Sequence, residues 1–229
     1  ILRNPPRKTS ETVYFSVEGE PHFQYRGFFN DFGPPSILQL YSFTKMIEEF
    51  FSKSNQTLHF YVSPNQEAKS NAALYITSFR MLHCHMSPEE AFKPLNSIAS
   101  TLKPFRDAST LPSTFDLTVL DCLRGLKRAM DLGWFDMGTF DPETWMRLEA
   151  IENGDMNWLI PNKLLAFASP YSTNVIGDGI YVATPTDIIP TFRGLGITHI
   201  VRLNKQFYDA DDFKNEGFKH TELYFTDGS

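Results

Sequence analysis

Cysteine is scarce in this sequence, since its 229 residues contain only Cys84 and Cys122. Two thiols are too few for a disulfide framework, and such a composition is typical of a reducing compartment. The chain also lacks any apolar run near the roughly 20 residues that a membrane span needs. Its first ten residues contain two prolines and no apolar block of the signal-peptide kind. We therefore expect a cytosolic or nuclear protein with no membrane partner.

An excess of positive charge is missing as well. The formal net charge is -6 and the pI is about 5.5, which argues against nucleic acid as the main partner. A mildly acidic surface suits a basic substrate, or it serves solubility alone. His83, Cys84 and His85 invite a metal interpretation, but only four other histidines exist to complete a tetrahedral site. The sequence therefore predicts no metal and no cofactor.

The apolar content of 41% is sufficient for a packed core, and the patterning predicts an α/β fold. Ser87, Pro88 and Glu90 together predict the start of a helix. Ser87 is the expected N-cap, Pro88 the first helical residue and Glu90 the acid of a capping box. The first 140 residues and the last 75 or so each look α/β, and a capped helix joins them. The predicted helices are 37–51, 72–82, one from Ser87, one stopped by Gly133, 142–153, 187–196 and 208–217; the predicted strands are 58–62, short strands within 158–170, 197–204 and 218–225.

Two features of the first half resemble phosphate sites but lack the required geometry. The polar segment 63–71 follows a predicted strand and precedes a helix, which is the layout of a phosphate-binding turn, yet it contains no glycine, cysteine or arginine. Cys122 and Arg128 have the Cys-x5-Arg spacing of cysteine-dependent phosphatases. They lie in a helical stripe, however, where six steps of about 100° place them roughly 120° apart. We therefore expect Cys122 to be a core residue.

The chain ends on ELYFTDGS, in which a predicted strand runs straight into Asp227. A strand that delivers a carboxylate to a loop at the edge of a sheet often serves chemistry. The alternative is that Asp227 and Gly228 simply form a turn.

Several motifs in order resemble the cell-division-cycle-fourteen family of dual-specificity protein phosphatases: YRGFFNDFGP (25–34), LKPFRDAS (102–109), FDLTVLDCLRGLKRAM (115–130), IENGDMNWLIPNKLLAFASP (151–170), IVRLNK (200–205) and YFTDGS (224–229). The resemblance implies two tandem phosphatase-like domains. It makes 1–140 a non-catalytic substrate-recognition domain, 141–154 a linker helix and 155–229 the N-terminal part of the catalytic domain. It also implies a cell-cycle role at mitotic exit in the nucleus and cytoplasm, with the centrosome or spindle as further locations.

The same resemblance makes Asp227 the general acid of a cysteinyl-phosphate mechanism. The family's nucleophilic cysteine and phosphate-gripping arginine are absent up to Ser229. We expect them to be encoded further along the gene, and we expect this chain alone to be inactive. A non-catalytic phosphoprotein-binding or scaffolding fragment is the alternative function, and a metal-dependent hydrolase lacks a visible ligand cluster.

The resemblance also implies substrates in which phosphoserine or phosphothreonine precedes proline and a basic residue follows, besides phosphotyrosine. Selecting proline needs an apolar surface, and selecting Lys or Arg needs carboxylates in a partly shielded groove. We expect these groups to be Asp107, Phe115, Asp116, Glu149 and Glu152. Each acid could instead be a solvated surface residue, and Asp116 could begin a helix, where a carboxylate is favoured. Oligomeric state is left open by the sequence.

Overall fold

The computed structural model describes residue 9 and residues 11–109, 112–177 and 179–226. The chain divides into two compact units, residues 1–139 and 140–229. Helices and two-stranded sheets alternate in both units, which confirms the prediction of an α/β fold. In the part of the chain described, no helix combines the length and the apolar character needed to span a membrane.

Among its described residues, the first unit contains a parallel strand pair and four α-helices. Its elements are β1 (Thr12–Phe15), α1 (Ile37–Lys53), β2 (Thr57–Phe60), α2 (Gln66–Cys84), α3 (Pro88–Phe92) and α4 (Val119–Asp131), with short 3-10 turns between them. β1 and β2 are aligned in parallel from Thr12 opposite Thr57 to Phe15 opposite Phe60. The core is rich in aromatic rings: Phe43 and Tyr75 are fully buried with ring centroids 5.1 Å apart.

Side-chain caps fix where these helices begin. Ser36, Ser87 and Thr118 each accept a hydrogen bond from the backbone N–H three residues on, and each forms a capping box. The predicted helix start at Ser87 is therefore confirmed. The predicted loop 63–71 is wrong over residues 66–71, because the side chain of Asn65 accepts from the N–H groups of Glu67 and Ala68 and starts α2 at Gln66.

In the described part of the second unit there are three α-helices and three strand pairs. Its elements are α5 (Pro142–Glu149), β3 (Met156–Ile160), β4 (Leu164–Phe167), β5 (Val175–Ile176), β6 (Ile180–Tyr181), α6 (Pro185–Gly194), β7 (His199–Arg202), α7 (Asp211–Lys214) and β8 (Lys219–Glu222). β3–β4 and β5–β6 are antiparallel, whereas β7 and β8 are parallel. The core of this unit includes Met156, Ile188, Phe192 and Phe213, all at most 1% exposed.

Several predictions in this unit need correction. The helix predicted over 208–217 forms only over Asp211–Lys214, and the strand predicted over 218–225 forms only over Lys219–Glu222. The helix predicted over 142–153 ends at Glu149, because Ala150 is extended at φ -64° and ψ 133° and only a 3-10 turn follows over Ile151–Asn153. The strand predicted over 197–204 is shorter, and it is not buried on both faces. His199 and Val201 are exposed, whereas Ile200 and Arg202 are buried. The residue that breaks the apolar pattern is therefore a buried arginine.

Candidate functional site

Three of the predicted substrate-binding residues lie in one loop of the first unit, whose two ends are joined. Phe105 and Leu117 form an antiparallel bridge with two backbone hydrogen bonds of 2.8 Å. Phe105 is 1% exposed, so the base of the loop is anchored in the core. The bridge fixes the two ends of the loop, so the described residues between them extend from fixed positions. Residues 110 and 111 of the loop are not among the described residues.

The loop presents one aromatic ring and two carboxylates. Phe115 is 73% exposed, although phenylalanine is among the residues most often buried. Asp107 lies beside the Arg106 guanidinium at 3.6 Å, and that guanidinium also donates to the backbone carbonyls of Asp107 and Ser109. Asp116 accepts a 2.7 Å hydrogen bond from the Ser113 hydroxyl. The alternative that Asp116 begins a helix is wrong, because Thr118 is the N-cap of α4.

Glu149 and Glu152, the other two predicted substrate-binding residues, lie in the second unit at the end of α5 and in the turn after it. Glu152 is exposed, whereas Glu149 is half-buried. Burial raises the pKa of Glu149, and the nearby charge of Asp155 raises it further. Burial also raises the pKa of Asp155. Among the described residues neither Glu149 nor Asp155 forms an ion pair with Lys or Arg, so this pair of carboxylates is poorly neutralised.

The carboxyl ends of β7 and β8 hold a hydrogen-bonded cluster that the sequence analysis missed. Arg202 and Glu222 are the last residues of the two strands and lie directly opposite each other. The Arg202 guanidinium donates to both carboxylate oxygens of Glu222, at 2.8 and 2.6 Å, and to the backbone carbonyl of Tyr208 at 2.7 Å. It also lies 4.4 Å from the centre of the Tyr208 ring. The Tyr208 hydroxyl and Nε2 of His220 share a 2.8 Å hydrogen bond.

The chain beyond β8 stays attached to the end of β7. The Leu223 N–H donates to the Arg202 carbonyl at 2.9 Å, and the Phe225 N–H donates to the Leu203 carbonyl at 3.1 Å. A cavity of about 620 Å³ opens at this edge and is lined by Arg202, Asn204, Lys205, Gln206, Asp209, Ala210, Asp211, Lys214, Glu222 and Tyr224. Asp227, the predicted general acid, lies outside the described residues.

The strand-to-helix turn after β2 is occupied by the protein's own side chains. The Ser63 N–H donates to the Glu18 carboxylate at 2.6 Å, and Asn65 accepts from the first N–H groups of α2. These are the donors with which such a turn would bind a phosphate. Because a carboxylate and an amide already accept from them, this turn is poorly suited to phosphate binding.

Cys122 lies within α4 and does not line a phosphate-binding loop. Burial raises the pKa of its thiol to about 11, so the reactive thiolate is disfavoured at neutral pH. The described residues contain no group of three or more His, Cys, Asp or Glu side chains arranged to hold a metal ion.

A further cluster missed by the sequence analysis lies in the segment YRGFFNDFGP. The Asp31 carboxylate accepts from the Phe28 N–H at 2.9 Å, the Phe29 N–H at 2.8 Å and the Tyr25 hydroxyl at 2.7 Å. Asp31 is only 6% exposed, whereas Phe28 and Phe29 are 78% and 63% exposed. An acid close to two adjacent aromatic residues was the available signal, but sequence spacing alone does not distinguish a buried carboxylate from a solvated one.

Comparison with known proteins defines the class. The family described as "Dual specificity protein phosphatase, N-terminal half" matches residues 1–129, which is more than half of the chain. The relatives include the dual specificity protein phosphatases CDC14AB of Danio rerio, 41% identical, and CDC14A of Homo sapiens, 37% identical, each over the whole of this chain. The tyrosine-protein phosphatase CDC14 of Saccharomyces cerevisiae is 31% identical over 98% of this chain. The chain belongs to the CDC14 family of dual specificity protein phosphatases.

The chain is much shorter than these relatives. It covers 38% of the Danio rerio protein, 39% of the Homo sapiens protein and 42% of the Saccharomyces cerevisiae protein.

Proposed function

We propose that this chain is part of a protein phosphatase that removes phosphate from phosphoserine or phosphothreonine followed by proline, and from phosphotyrosine, at sites made by cyclin-dependent kinases. A cysteine thiolate from the part of the protein outside this chain attacks phosphorus, and the P–O bond to the substrate oxygen breaks. Asp227 donates its proton to that leaving oxygen, and water then hydrolyses the cysteinyl-phosphate. Membership of the CDC14 family is the observation that carries this proposal.

The need for an acid follows from the leaving group. An alkoxide from serine is a far worse leaving group than a tyrosine phenolate, whose conjugate acid has a pKa of about 10. The backbone ladder from Leu223 to Phe225 supports a role for Asp227, because it holds the chain against β7 until two residues before the aspartate. In α/β folds, the carboxyl ends of parallel strands are the usual place for ligands.

The two units divide the work in this proposal as tandem phosphatase-like domains. The first recognises substrate through Phe115, Asp107 and Asp116, and the second carries the chemistry. Glu149 and Glu152 attract the basic residue that follows Ser-Pro. This assignment is supported by the exposure of Phe115 and by the absence of a cationic partner for Glu149 in the described part of the chain.

The deciding experiment compares Asp227→Asn with wild type in the full-length protein, using a Ser-Pro phosphopeptide with a lysine downstream. We expect kcat to fall about tenfold or more, within the range for losing general-acid catalysis. Asp212→Asn is the matched control, since Asp212 is an exposed acid on α7, and it should leave kcat unchanged. An unchanged rate in Asp227→Asn would remove this residue from the mechanism.

A non-catalytic phosphoprotein-binding or scaffolding fragment is the second candidate function. The occupied turn after β2 favours a non-catalytic role for the first unit, and a bound phosphate would have to lie elsewhere than at this turn. Full-length protein that binds the phosphopeptide without releasing phosphate would support this alternative against the enzyme. We propose a nuclear and cytoplasmic location, including the centrosome or spindle, which imaging of tagged full-length protein would test.

A further inference from the structure

The Arg202–Glu222 pair joins two strand ends at the point where the chain approaches Asp227. Only four residues lie between Glu222 and Asp227, and Phe225 is the last residue of the backbone ladder alongside β7. The ladder holds the main chain of the two strand ends together. The side-chain pair at their last register position adds a second link beside it.

Arg202 is well suited to hold a fixed geometry. Its side chain is only 4% exposed, and its planar guanidinium contacts both Glu222 oxygens as well as the Tyr208 carbonyl. A bidentate arginine–carboxylate contact constrains direction as well as distance, which a single charge contact does not do. One side chain thereby connects β7, β8 and the connection that contains Tyr208.

A purely stabilising role would be met more simply by an apolar residue. Arg202 is buried whereas the Glu222 side chain is 52% exposed. Burying a charged side chain costs solvation free energy that its partner has to offset, so a buried arginine is weak evidence of a stabilising role. Ile200, two residues earlier, faces the same side of β7 and is buried without any charge. Unlike Ile200, the Arg202–Glu222 pair therefore constrains the direction of the strand end.

We propose that Arg202 and Glu222 are positioning residues for the general acid, acting on the direction in which the chain leaves β8. This inference rests on the proposed role of Asp227. The two residues need not touch substrate. Their loss would affect proton donation to the leaving oxygen, and would therefore be felt most by substrates with a poor leaving group.

The test uses full-length protein with two substrates, a Ser-Pro phosphopeptide and para-nitrophenyl phosphate, whose phenolate leaves without needing a proton. Glu222→Gln should lower kcat on the phosphopeptide about tenfold and on the aryl phosphate less than about twofold. The matched control is Glu216→Gln, which removes an exposed pair with Arg193 on α6 and should leave both rates within about twofold of wild type.

A double mutant separates positioning from other effects. If Glu222 acts through Asp227, adding Glu222→Gln to Asp227→Asn should cost less than about a further twofold on the phosphopeptide. The inference is overturned if Glu222→Gln leaves the phosphopeptide rate unchanged, if it slows both substrates equally, or if its effect persists in the Asp227→Asn background. If Asp227→Asn alone has no leaving-group-dependent effect, the proposed function fails instead.

Thermal melts of each protein show whether Glu222→Gln folds. If it does not fold, Arg202→Lys is the second variant. Lysine keeps the positive charge but cannot make the bidentate contact. The same selective loss on the phosphopeptide is expected, and equal loss on both substrates by a folded Arg202→Lys protein would contradict the inference.

Discussion

Asp31 gives the sharpest test of what holds the first unit together. Its carboxylate accepts three hydrogen bonds, two of them from adjacent backbone N–H groups, while it is almost completely buried. Hydrogen bonds to charged groups contribute about 1.5–3 kcal/mol each. Because Phe28 and Phe29 are exposed, water can reach part of this segment once the carboxylate is removed. We therefore expect Asp31→Ala to cost about 3 kcal/mol, which is below the simple sum.

Asp31→Asn separates charge from geometry, since an amide can still accept from both N–H groups. It should cost about 1.5 kcal/mol, because hydrogen bonds to an ionised acceptor are roughly twice as strong as neutral ones. Asp136→Asn is the matched control in the same unit. Asp136 accepts from the N–H groups of Gly138 and Thr139 but is exposed, so the substitution should stay within about 0.5 kcal/mol of wild type.

The stability of these proteins at acid pH tests the same reasoning. Burial opposes ionisation of Asp31, yet its hydrogen bonds with Phe29, Tyr25 and Phe28 hold its pKa below the ordinary value of 3.8. A group whose pKa is lowered by folding stabilises the protein above its unfolded pKa, and that contribution is lost as the pH falls through its folded pKa. The gap between wild type and Asp31→Asn should therefore close in acid.

Urea unfolding in a Trp145→Phe, Trp158→Phe background leaves Trp134 as the only tryptophan and so reports the first unit. Two results would refute the reasoning. The first is a gap between wild type and Asp31→Asn that is independent of pH. The second is a loss in Asp31→Asn no larger than that in Asp136→Asn.

Two further predictions concern thiol reactivity and substrate choice. Because partial burial raises the pKa of Cys122 to about 11 while Cys84 is exposed, iodoacetamide at pH 8 should label Cys84 first, as read by mass spectrometry; equal labelling of both thiols would contradict a shielded Cys122. In the full-length protein, Glu149→Gln combined with Glu152→Gln should raise KM for a phosphopeptide with a downstream lysine about tenfold, and much less for one with alanine there, with the exposed Glu143→Gln as control. Equal KM changes for both peptides would remove these acids from the recognition of the basic residue.

Local signals in the sequence predicted three helix starts correctly, those of α1, α3 and α5. Ser87 and Asp141 cap the helices that their spacing indicated, because an N-cap depends only on residues within one turn. Asn65 was missed as a cap, since the polar composition of residues 66–71 resembles a loop although those residues face partly outward on a helix. The strands were predicted too long, because apolar runs do not reveal where pairing with a neighbour stops.

The candidate site was less predictable than the fold. Arg202 stands in an apolar run, and its burial depends on Glu222, which is 20 residues away along the chain but opposite it in the sheet. Asp31 likewise depends on a turn that brings Tyr25 within 2.7 Å. Such partners are set by register and turn geometry, which the periodicity of a single sequence does not contain. Phe115 and the acids of its loop were predicted from the family resemblance.

The two parallel strand pairs differ in which side chains occupy their carboxyl ends. Next to β1 and β2, the Glu18 carboxylate accepts from the Ser63 N–H, so a phosphate would have to displace a like charge to reach the same donor. Next to β7 and β8, Glu222 is instead neutralised by Arg202, and the chain continues along the sheet edge toward Asp227. Beside β1 and β2, an anionic substrate would therefore be repelled by the carboxylate of Glu18, which accepts from the backbone. Beside β7 and β8, the carboxylate of Glu222 is already paired with Arg202. This difference in charge is consistent with the proposal that the second unit carries the phosphate chemistry.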